Sequence, residues 1–562
     1  MSLPQQLTVA RRSRLSSALA AALLLASIAP VRLLAESEPP QPSPQPDDEG
    51  FSEQVEVNVV NVEVFVTDGK GNPVTGLTRA DFQVFEDAKP VEVTNFYAAS
   101  AVPAAAVSAT AQASAAKVED SRPEDQRLHL VVFLDDLNTQ PGNRNRMIVR
   151  VREFLTGRLN PGDQVMLVRY DRSPKIVRPF TTDHALIAAD LEAISRTSSN
   201  AGAKETYRDA AWQQIRNLVA DLGGWDPAID EALKSYAESE ANLTSAALGA
   251  LDQVVSTLSG VPGRKAVLYV SDGISLQPGE ELFQLMAIAL GGRQNFSPQM
   301  SSRNYDMTSK FRAMAAHASR NGVALYPLEA SGAGLATELE QIRTRNQQDA
   351  LKVLAEETGG RAMLNVGDAG PELALLARDV ETFYSLGYRP PRVGDGVEHK
   401  IEVKVKGKGL SLRHRQWYRD KPVSEAIADR TATAMIFGME ENPLGIRVEI
   451  GRQAAQGDSF VVPVRVRIPL SKLTLIPRAG NRVGHLRFFV VASGNDTTTP
   501  VRTGSADIRI PEQRLAADLL KDYVHEVRIT LKKGEYAVGV GVRDDLAAAT
   551  SYLRDKLTAG GG

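Results

Sequence analysis

The chain has no cysteine. That excludes disulfides, thiolate metal sites, a cysteine nucleophile and the cysteine-linked lipid of a bacterial lipoprotein. It also has little net charge, −3 over 562 residues at pH 7, so nothing in the overall balance points to nucleic acid. Beyond Ala35 no run is long and apolar enough to span a bilayer. The seven histidines form no HExxH-like pair, and Gly291-Gly292 lacks the lysine of a phosphate loop. What remains is a chain of ordinary apolar content, long enough for about three or four domains.

The N-terminus reads as a secretory signal. Arg11, Arg12 and Arg14 form a basic start, and Leu15 to Ala29 is rich in Ala and Leu but short for a membrane span. Small residues offer cleavage after Ala35, or after Ala29 where Pro30 follows. Residues 1–35 are therefore expected to be a signal peptide, the alternative being an uncleaved anchor. The protein is expected to be exported, to periplasm, cell surface or medium, with no permanent span once processed.

Residues 36–52 are Pro-rich and acidic and read as a disordered spacer. Residues 53–97 alternate apolar and polar around the turn cluster Asp68–Pro73, a small all-β module. Residues 98–126 read as an Ala-rich linker. From 127 to 382 strands alternate with helices. Strands are expected at Leu128–Leu134, Gln164–Tyr170, Lys175–Arg178, Lys265–Val270, Val323–Pro327 and Arg361–Leu364. Helices are expected at Asn143–Leu155, His184–Ile194, Thr206–Leu222, Leu243–Leu258, Ser309–Asn321 and Gln347–Thr358. That rhythm implies an α/β domain with a doubly wound parallel sheet, carrying a helical insertion at about 197–243. Residues 383–420 return to β, and 430–553 read as a C-terminal β-sandwich-like domain. Each β module beside the α/β unit is too small to bury a core alone, so 53–97 and 383–418 are expected to pack together or both to flank the α/β edge.

The chemistry concentrates at two strand ends. LHLVVFLDDLNT (128–139) and KAVLYVSDGIS (265–275) are apolar runs suited to strands buried on both faces, and each stops at acidic residues. Ligands of such sheets bind beyond the carboxyl ends of the strands, so a cation site or a carboxylate-based catalytic site is expected there.

Several segments together resemble the von Willebrand factor A domain proteins of the bacterial VWFA-related type common in acidobacteria. They are VEVFVTDGKGNPVTGLTRADFQVFED (62–87), VVFLDDLNT (131–139), LNPGDQVMLVRYDRSPKIVRPFTTD (159–183), GRKAVLYVSDG (263–273) and YSLGYRP with HKIEVKVKGKGL (384–410). The resemblance covers residues 53–420. It implies a metal-ion-dependent adhesion site of the pattern Asp-x-Ser-x-Ser, a Thr from a later loop and an Asp after the fourth strand. Asp135 matches the first Asp, Thr139 the second hydroxyl residue and Asp272 the fourth-strand Asp. Leu137 stands at the first serine position and cannot ligate, and Asp136 and Asn138 are auxiliary oxygen donors. Thr206 matches the loop Thr, with Thr182 as rival. The implied ion is Mg²⁺, or Mn²⁺ or Ca²⁺ in its place, with one position open to a partner's carboxylate.

The plain alternative is that Asp135 and Asp272 cap the helices that follow. An enzyme reading also exists. Asp135 and Thr139 resemble the nucleophile motif of haloacid-dehalogenase-type phosphohydrolases, with Ser271 as the phosphate-binding hydroxyl, but Leu137 falls at the general-acid position. His317 reads as a packed or surface residue. The Lys and Arg residues of 400–421 read as a solvated strand face, or as a patch for acidic polymers. The function expected is non-enzymatic recognition of a protein partner through the top face of the α/β domain. The alternative is a structural or assembly component of the cell envelope that works without metal.

Overall fold

The computed structural model describes residues 59–99, 122–222, 226–290, 302–331, 337–365, 367–494 and 498–560. The expected signal (1–35), the spacer (36–52), residues 53–58 of the first β module and residues 100–121 of the expected linker lie outside them.

The chain opens with strands β1 (Val60–Thr67), β2 (Phe82–Glu86), β3 (Lys89–Val91) and β4 (Val93–Ala99). The α/β unit follows: β5 (Leu128–Asp135), α1 (Pro141–Arg158), β6 (Gln164–Tyr170), β7 (Pro174–Thr181), α2 (His184–Ser195), α3 (Ala201–Leu222), α4 (Pro227–Thr257), β8 (Arg264–Ser271), α5 (Glu280–Leu290), α6 (Thr308–Arg320), β9 (Val323–Glu329), α7 (Glu338–Glu356) and α8 (Gly370–Glu381). Strands β10 (Phe383–Tyr388), β11 (Glu398–Val405), β12 (Ser411–His414) and β13 (Trp417–Arg419) return to the first module, and helix α9 (Val423–Phe437) leads into the C-terminal strands.

All eight residues of β5 are buried, because alternate side chains enter different cores. Leu128, Leu130, Val132 and Leu134 pack with α1, α2 and α8, while Val131 and Phe133 pack with α4, α6 and α7. This is the physical content of the continuous apolar runs: a sheet covered by helices on both faces. The strand order is β7-β6-β5-β8-β9. β6, β5, β8 and β9 are parallel, but β7 at the edge is antiparallel to β6, so the sheet is mixed rather than wholly parallel. Pro174–Thr181 follows β6 after a short turn, and such a connection can only form a hairpin, since a parallel partner needs a long crossover. The order reverses between β5 and β8, which places the ends of LHLVVFLDD and KAVLYVSD on either side of one crevice.

The expected strand at 361–364 is a single bridge, Leu328 to Met363. Helices α5, α8 and α9 were not expected. In VSEAIADRTATAMIF small residues dominate, so the helical periodicity of α9 is weak. The expected insertion at about 197–243 holds helix α3 and the first half of α4. Asp226 caps a helix whose first residue is Pro227, which extends α4 upstream of Leu243, and α3, α4 and α5 share a core of Trp212, Ile215, Leu233, Tyr236, Phe283 and Met286.

The two flanking β segments form one sandwich. One sheet runs β12-β1-β10-β4 and the other β13-β11-β2-β3, so each contains strands from both sides of the α/β unit. Val62, Val64, Phe82 and Val84 meet Leu386, Tyr388, Ile401 and Val403 in its core. Neither segment has enough strands to bury that core alone. The C-terminal strands, from Arg447–Ile450 to Ala549–Ala559, form two sheets around Val464, Val466, Phe488, Val490 and Val540. Helix α9 precedes them and lies on their outer face. The small residues that alternate with Val538, Val540 and Val542 mark that contact: a Cβ on Gly541 would overlap Thr431 of α9. Among the described residues no helix is long and apolar enough to cross a membrane.

Candidate functional site

Asp135 ends β5 with no solvent exposure. Its Oδ1 accepts from the backbone N and Nδ2 of Asn138, each at 3.0 Å. Its Oδ2 accepts from the Tyr269 hydroxyl at 2.5 Å and Ser271 Oγ at 3.3 Å. Burial raises the carboxyl's pKa, while the hydrogen bonds of Tyr269 and Asn138 and the charge of Lys204 pull it back down. Thr139 donates its hydroxyl to the Asp135 carbonyl at 2.5 Å. Leu137 is turned into the core on the α4 face.

Asp136 points the other way. Its two oxygens accept from Arg144 Nη1 and Arg169 Nε, each at 2.7 Å, and Arg144 is itself buried and reaches the Thr197 carbonyl at 2.7 Å. This ion triplet fixes the loop after β5 and consumes Asp136, which leaves no carboxylate oxygen for a site above.

Asp272, one residue beyond β8, accepts from the Gln140 backbone N at 2.8 Å and from Asn143 Nδ2 at 3.0 Å. It therefore caps the first turn of α1 from a neighbouring strand, favourably placed against the helix dipole. Burial raises its pKa to about 6 against the hydrogen bonds of Gln140 and Asn143. Asp272 is thus a capping residue, but of α1 across the sheet and not of the helix that follows it as the alternative had it. Asp135 instead holds its own loop.

The side chain that completes the cluster is Lys204, near the start of α3. Its Nζ lies 2.6 Å from Asn138 Oδ1 and 3.8 Å from Glu240 Oε2, and Asn138 in turn holds Asp135. Sequence reasoning passed over it, although it stands two residues before Thr206 in the same segment, KETYRDA. An α-helix turns about 100° per residue. With Lys204 directed inward, Thr206 faces outward; it is exposed and its hydroxyl bonds the Gly202 carbonyl. Thr206 is therefore not brought to the cluster. Neither is Thr182: antiparallel β7 carries it to the amino ends of the parallel strands, since Thr181 pairs with Val165 at the start of β6.

The structure thus gathers Asp135, Asn138, Thr139 and Asp272, diverts Asp136 into an ion triplet and leaves Thr206 outside. A hard divalent ion wants about six oxygens. Here the oxygens of Asp135 already accept protein donors, Leu137 offers none, and an ammonium sits on the Asn138 oxygen. This donor set fits a tethered ammonium rather than Mg²⁺, Mn²⁺ or Ca²⁺.

Above the cluster lies a cleft of about 560 Å³ lined by Asn138, Lys204, Arg208, Asp272, Arg343 and Gln348 among others. Lys204 leads inward from it to a buried acid pair. Glu281 accepts from the Tyr236 hydroxyl at 3.0 Å, and burial and the charge of Glu240 raise its pKa to about 7.

Elsewhere, Glu86, Asp87 and His399 bring ligand-type atoms within 4.8 Å of one another. The ring nitrogens of His399 meet Asp87 at 2.8 Å and Asp395 at 3.3 Å, and Glu86 accepts from the Tyr418 hydroxyl at 2.7 Å. That network ties β2 to β11 across the split sandwich. His317 pairs with Asp252, and His414 takes the Val403 backbone N–H.

No protein-family model matches this chain, and no curated protein matches it. Among solved structures it is similar to an aerotolerance-related membrane protein of Bacteroides fragilis, at 12% identity over 45% of this chain and 98% of that one, with a TM-score of 0.22. The conserved hypothetical protein BatB of Bacteroides thetaiotaomicron gives 11% identity, 45% and 97% coverage and 0.22. Three N-terminal domains of the pilus tip protein Mfa5 of Porphyromonas gingivalis give 10%, 90% and 77%, and 0.24. Likeness at these scores assigns no family.

Proposed function

We propose that this chain is an exported, non-enzymatic recognition protein with a von Willebrand factor A-like domain, whose protein partner docks on the face formed by the carboxyl ends of β5 and β8. The mixed sheet, its order and the two acidic strand ends at the crevice support that reading. The carrying observation is the Lys204 ammonium 2.6 Å from Asn138 Oδ1, in the cluster that Asp135 organises. A fixed positive charge there, with Arg343 along the cleft, suits an acidic side chain of the partner, whereas Arg208 on the same wall is already paired with Glu205 and Asp209. The face then works without a resident divalent ion.

A phosphohydrolase reading has less support. A nucleophilic carboxylate must reach substrate, and Asp135 has no exposure and accepts from Asn138, Tyr269 and Ser271.

The test is binding of the labelled full chain to isolated envelope fractions, with and without EDTA. Wild-type binding should resist EDTA and should drop at least tenfold in Arg343→Glu. Binding abolished by EDTA would overturn the metal-free reading. Binding untouched by Arg343→Glu would move recognition to the β modules, as in an envelope assembly component. Turnover of p-nitrophenyl phosphate that is lost in Asp135→Asn would restore the enzyme reading.

A further inference from the structure

The basic run of residues 400–421 resolves into two kinds of residue. Along β11 itself, Lys400 and Lys404 are exposed and alternate with buried Ile401 and Val403, the solvated face expected of a half-buried strand. Arg413 and Arg415, beyond the next turn, are half-buried instead. Arg413 Nη2 meets the Asp379 carboxylate at 2.5 Å. Among the described residues Arg415 has no such partner.

Arg415 lines a recess of about 310 Å³ at the amino ends of β8 and β9, the opposite end of the sheet from Asp135. Three parts of the fold meet there: the α/β unit through Lys265 and Gly322, the split sandwich through Asn61 and Arg415, and the start of α9 through Ala426. Other cations around it are matched. Arg264 pairs with Glu63 at 3.0 Å, Arg320 with Glu398 at 3.1 Å, and Lys421 with Asp429 at 2.6 Å. Lys265 and Arg415 are the exceptions. Lys265 Nζ donates to the Val261 carbonyl at 3.2 Å, and Arg415 Nη2 to the Asn61 carbonyl at 2.8 Å. Among the described residues neither has a carboxylate at ion-pair distance.

The two cations also converge. A Cβ built on Gly322 would lie 3.0 Å from Arg415 Nη1 and 3.9 Å from Lys265 Cε. Gly322 ends α6 with a positive φ of 66°, so glycine serves the turn and leaves the space between the cations open. The carboxylates of Glu63, Asp125 and Asp420 also line the recess, but the direct hydrogen-bond partners of these two cations are neutral carbonyls, and like charges brought together in this way disfavour their own charged forms. Burial and the charges of Arg415 and Lys421 push Lys265 down to about 7, against a smaller pull from Glu63 and Asp429. A negative ion placed between Lys265 and Arg415 would reverse that balance, and the fork of a guanidinium matches an oxyanion edge.

We infer that this recess binds a small tetrahedral oxyanion, of the phosphate or sulfate class, between Lys265 and Arg415. The ion would bridge the α/β unit to the split sandwich and so stabilise the joined fold by mass action. It stands independently of the recognition face at the other end of the sheet.

The experiment uses the full chain. Calorimetry and thermal melts are run with sodium sulfate and sodium phosphate against sodium chloride at matched ionic strength. Glycerol phosphate is a further arm, to separate a free ion from a phosphorylated headgroup. The expected result is saturable binding and a melting point raised by sulfate or phosphate beyond chloride, with both effects lost in Lys265→Met and in Arg415→Met. Either variant relieves like-charge crowding, so its basal stability can rise; the readout is the oxyanion-dependent increment. Sulfate does not titrate near neutrality, so its affinity should fall roughly 25-fold between pH 6.5 and 8.5 as Lys265 deprotonates, and Lys265→Arg should bind with no such fall. Glycerol phosphate binding as tightly as phosphate would identify a headgroup source, and weaker binding a free ion. An oxyanion effect no larger than that of chloride, or one that survives in both methionine variants, overturns the inference.

Discussion

Replacing Lys204 with Met tests whether the ammonium organises the cluster beneath the cleft. Methionine keeps the length and most of the volume, so packing changes little. What is lost is a charge-assisted hydrogen bond to Asn138 Oδ1 at 2.6 Å and an ion pair with Glu240 at 3.8 Å, where the lysine side chain is 13% and the glutamate 5% exposed. A hydrogen bond to a charged group is worth about 1.5–3 kcal/mol. At that separation and an effective dielectric near 20, Coulomb's law gives roughly 4 kcal/mol for the pair, most of it offset by desolvation. Glu240 would be left without this cation in a region that also holds buried Glu281. The expected loss is about 2–3 kcal/mol. It should shrink by about 1 kcal/mol in a Glu240→Gln background, because the orphaned charge is then absent. Urea unfolding followed by tryptophan fluorescence reads this locally, since Trp212 packs in the core that α3 shares with α4 and α5. A loss below about 0.5 kcal/mol, or no coupling to Glu240→Gln, would refute the view that Lys204 is a structural counter-charge.

Asp136→Ala should cost about 3–5 kcal/mol in the same assay, because it strands buried Arg144 and half-buried Arg169; a loss under 1 kcal/mol would show that the triplet is not holding the loop after β5. Glu281 has its folded pKa raised to about 7 from an ordinary 4.5, so the folded state binds the extra proton between those values. Stability should therefore fall by up to roughly 3 kcal/mol as pH rises from 4.5 to 7 and level off above it, and Glu281→Gln should flatten that slope in urea titrations at several pH values. For His399, burial pushes the pKa down but is outweighed by Asp87 and Asp395, which raise it above 6.5. Its contribution is full below pH 6.5 and is lost as pH climbs through the raised value, so His399→Phe should remove a decline in sandwich stability on the alkaline side, read by hydrogen exchange of β2 and β11. Gly541→Ala should destabilise the contact of α9 with the C-terminal sheets by about 1–3 kcal/mol, and Thr431→Ala should recover part of it; an unchanged melting curve would mean that the helix does not sit there.

The recognition face and the oxyanion recess lie at opposite ends of one sheet, and each is built where the chain changes layer. At the carboxyl ends of the strands the loops after β5 and β8 meet the inserted helices. At the amino ends the sheet meets the split sandwich and α9. Both places collect charged side chains from segments far apart in sequence, as Lys204 beside Asn138 and Arg415 beside Lys265 illustrate. Polar groups can be buried at such junctions only where another segment supplies a partner, which is why each residue's role depends on its neighbours.

The apolar runs Leu128–Leu134 and Lys265–Val270 determined a sheet buried on both faces, because strands of that composition gain only when covered twice. The alternating segments determined the β modules, and their shortness determined that the two flanking pieces must share a core. The acidic strand ends located the crevice. Which charges meet there was decided only by tertiary structure. A motif gives spacing along the chain, whereas a site is a convergence of directions. The turn of α3 aimed Lys204 inward and Thr206 outward, the hairpin of β7 carried Thr182 to the far end of the sheet, and two arginines drew Asp136 away from it. Helix α9 escaped notice for the same reason: its small residues show little periodicity alone and acquire a purpose only against the glycines of the strand they cover.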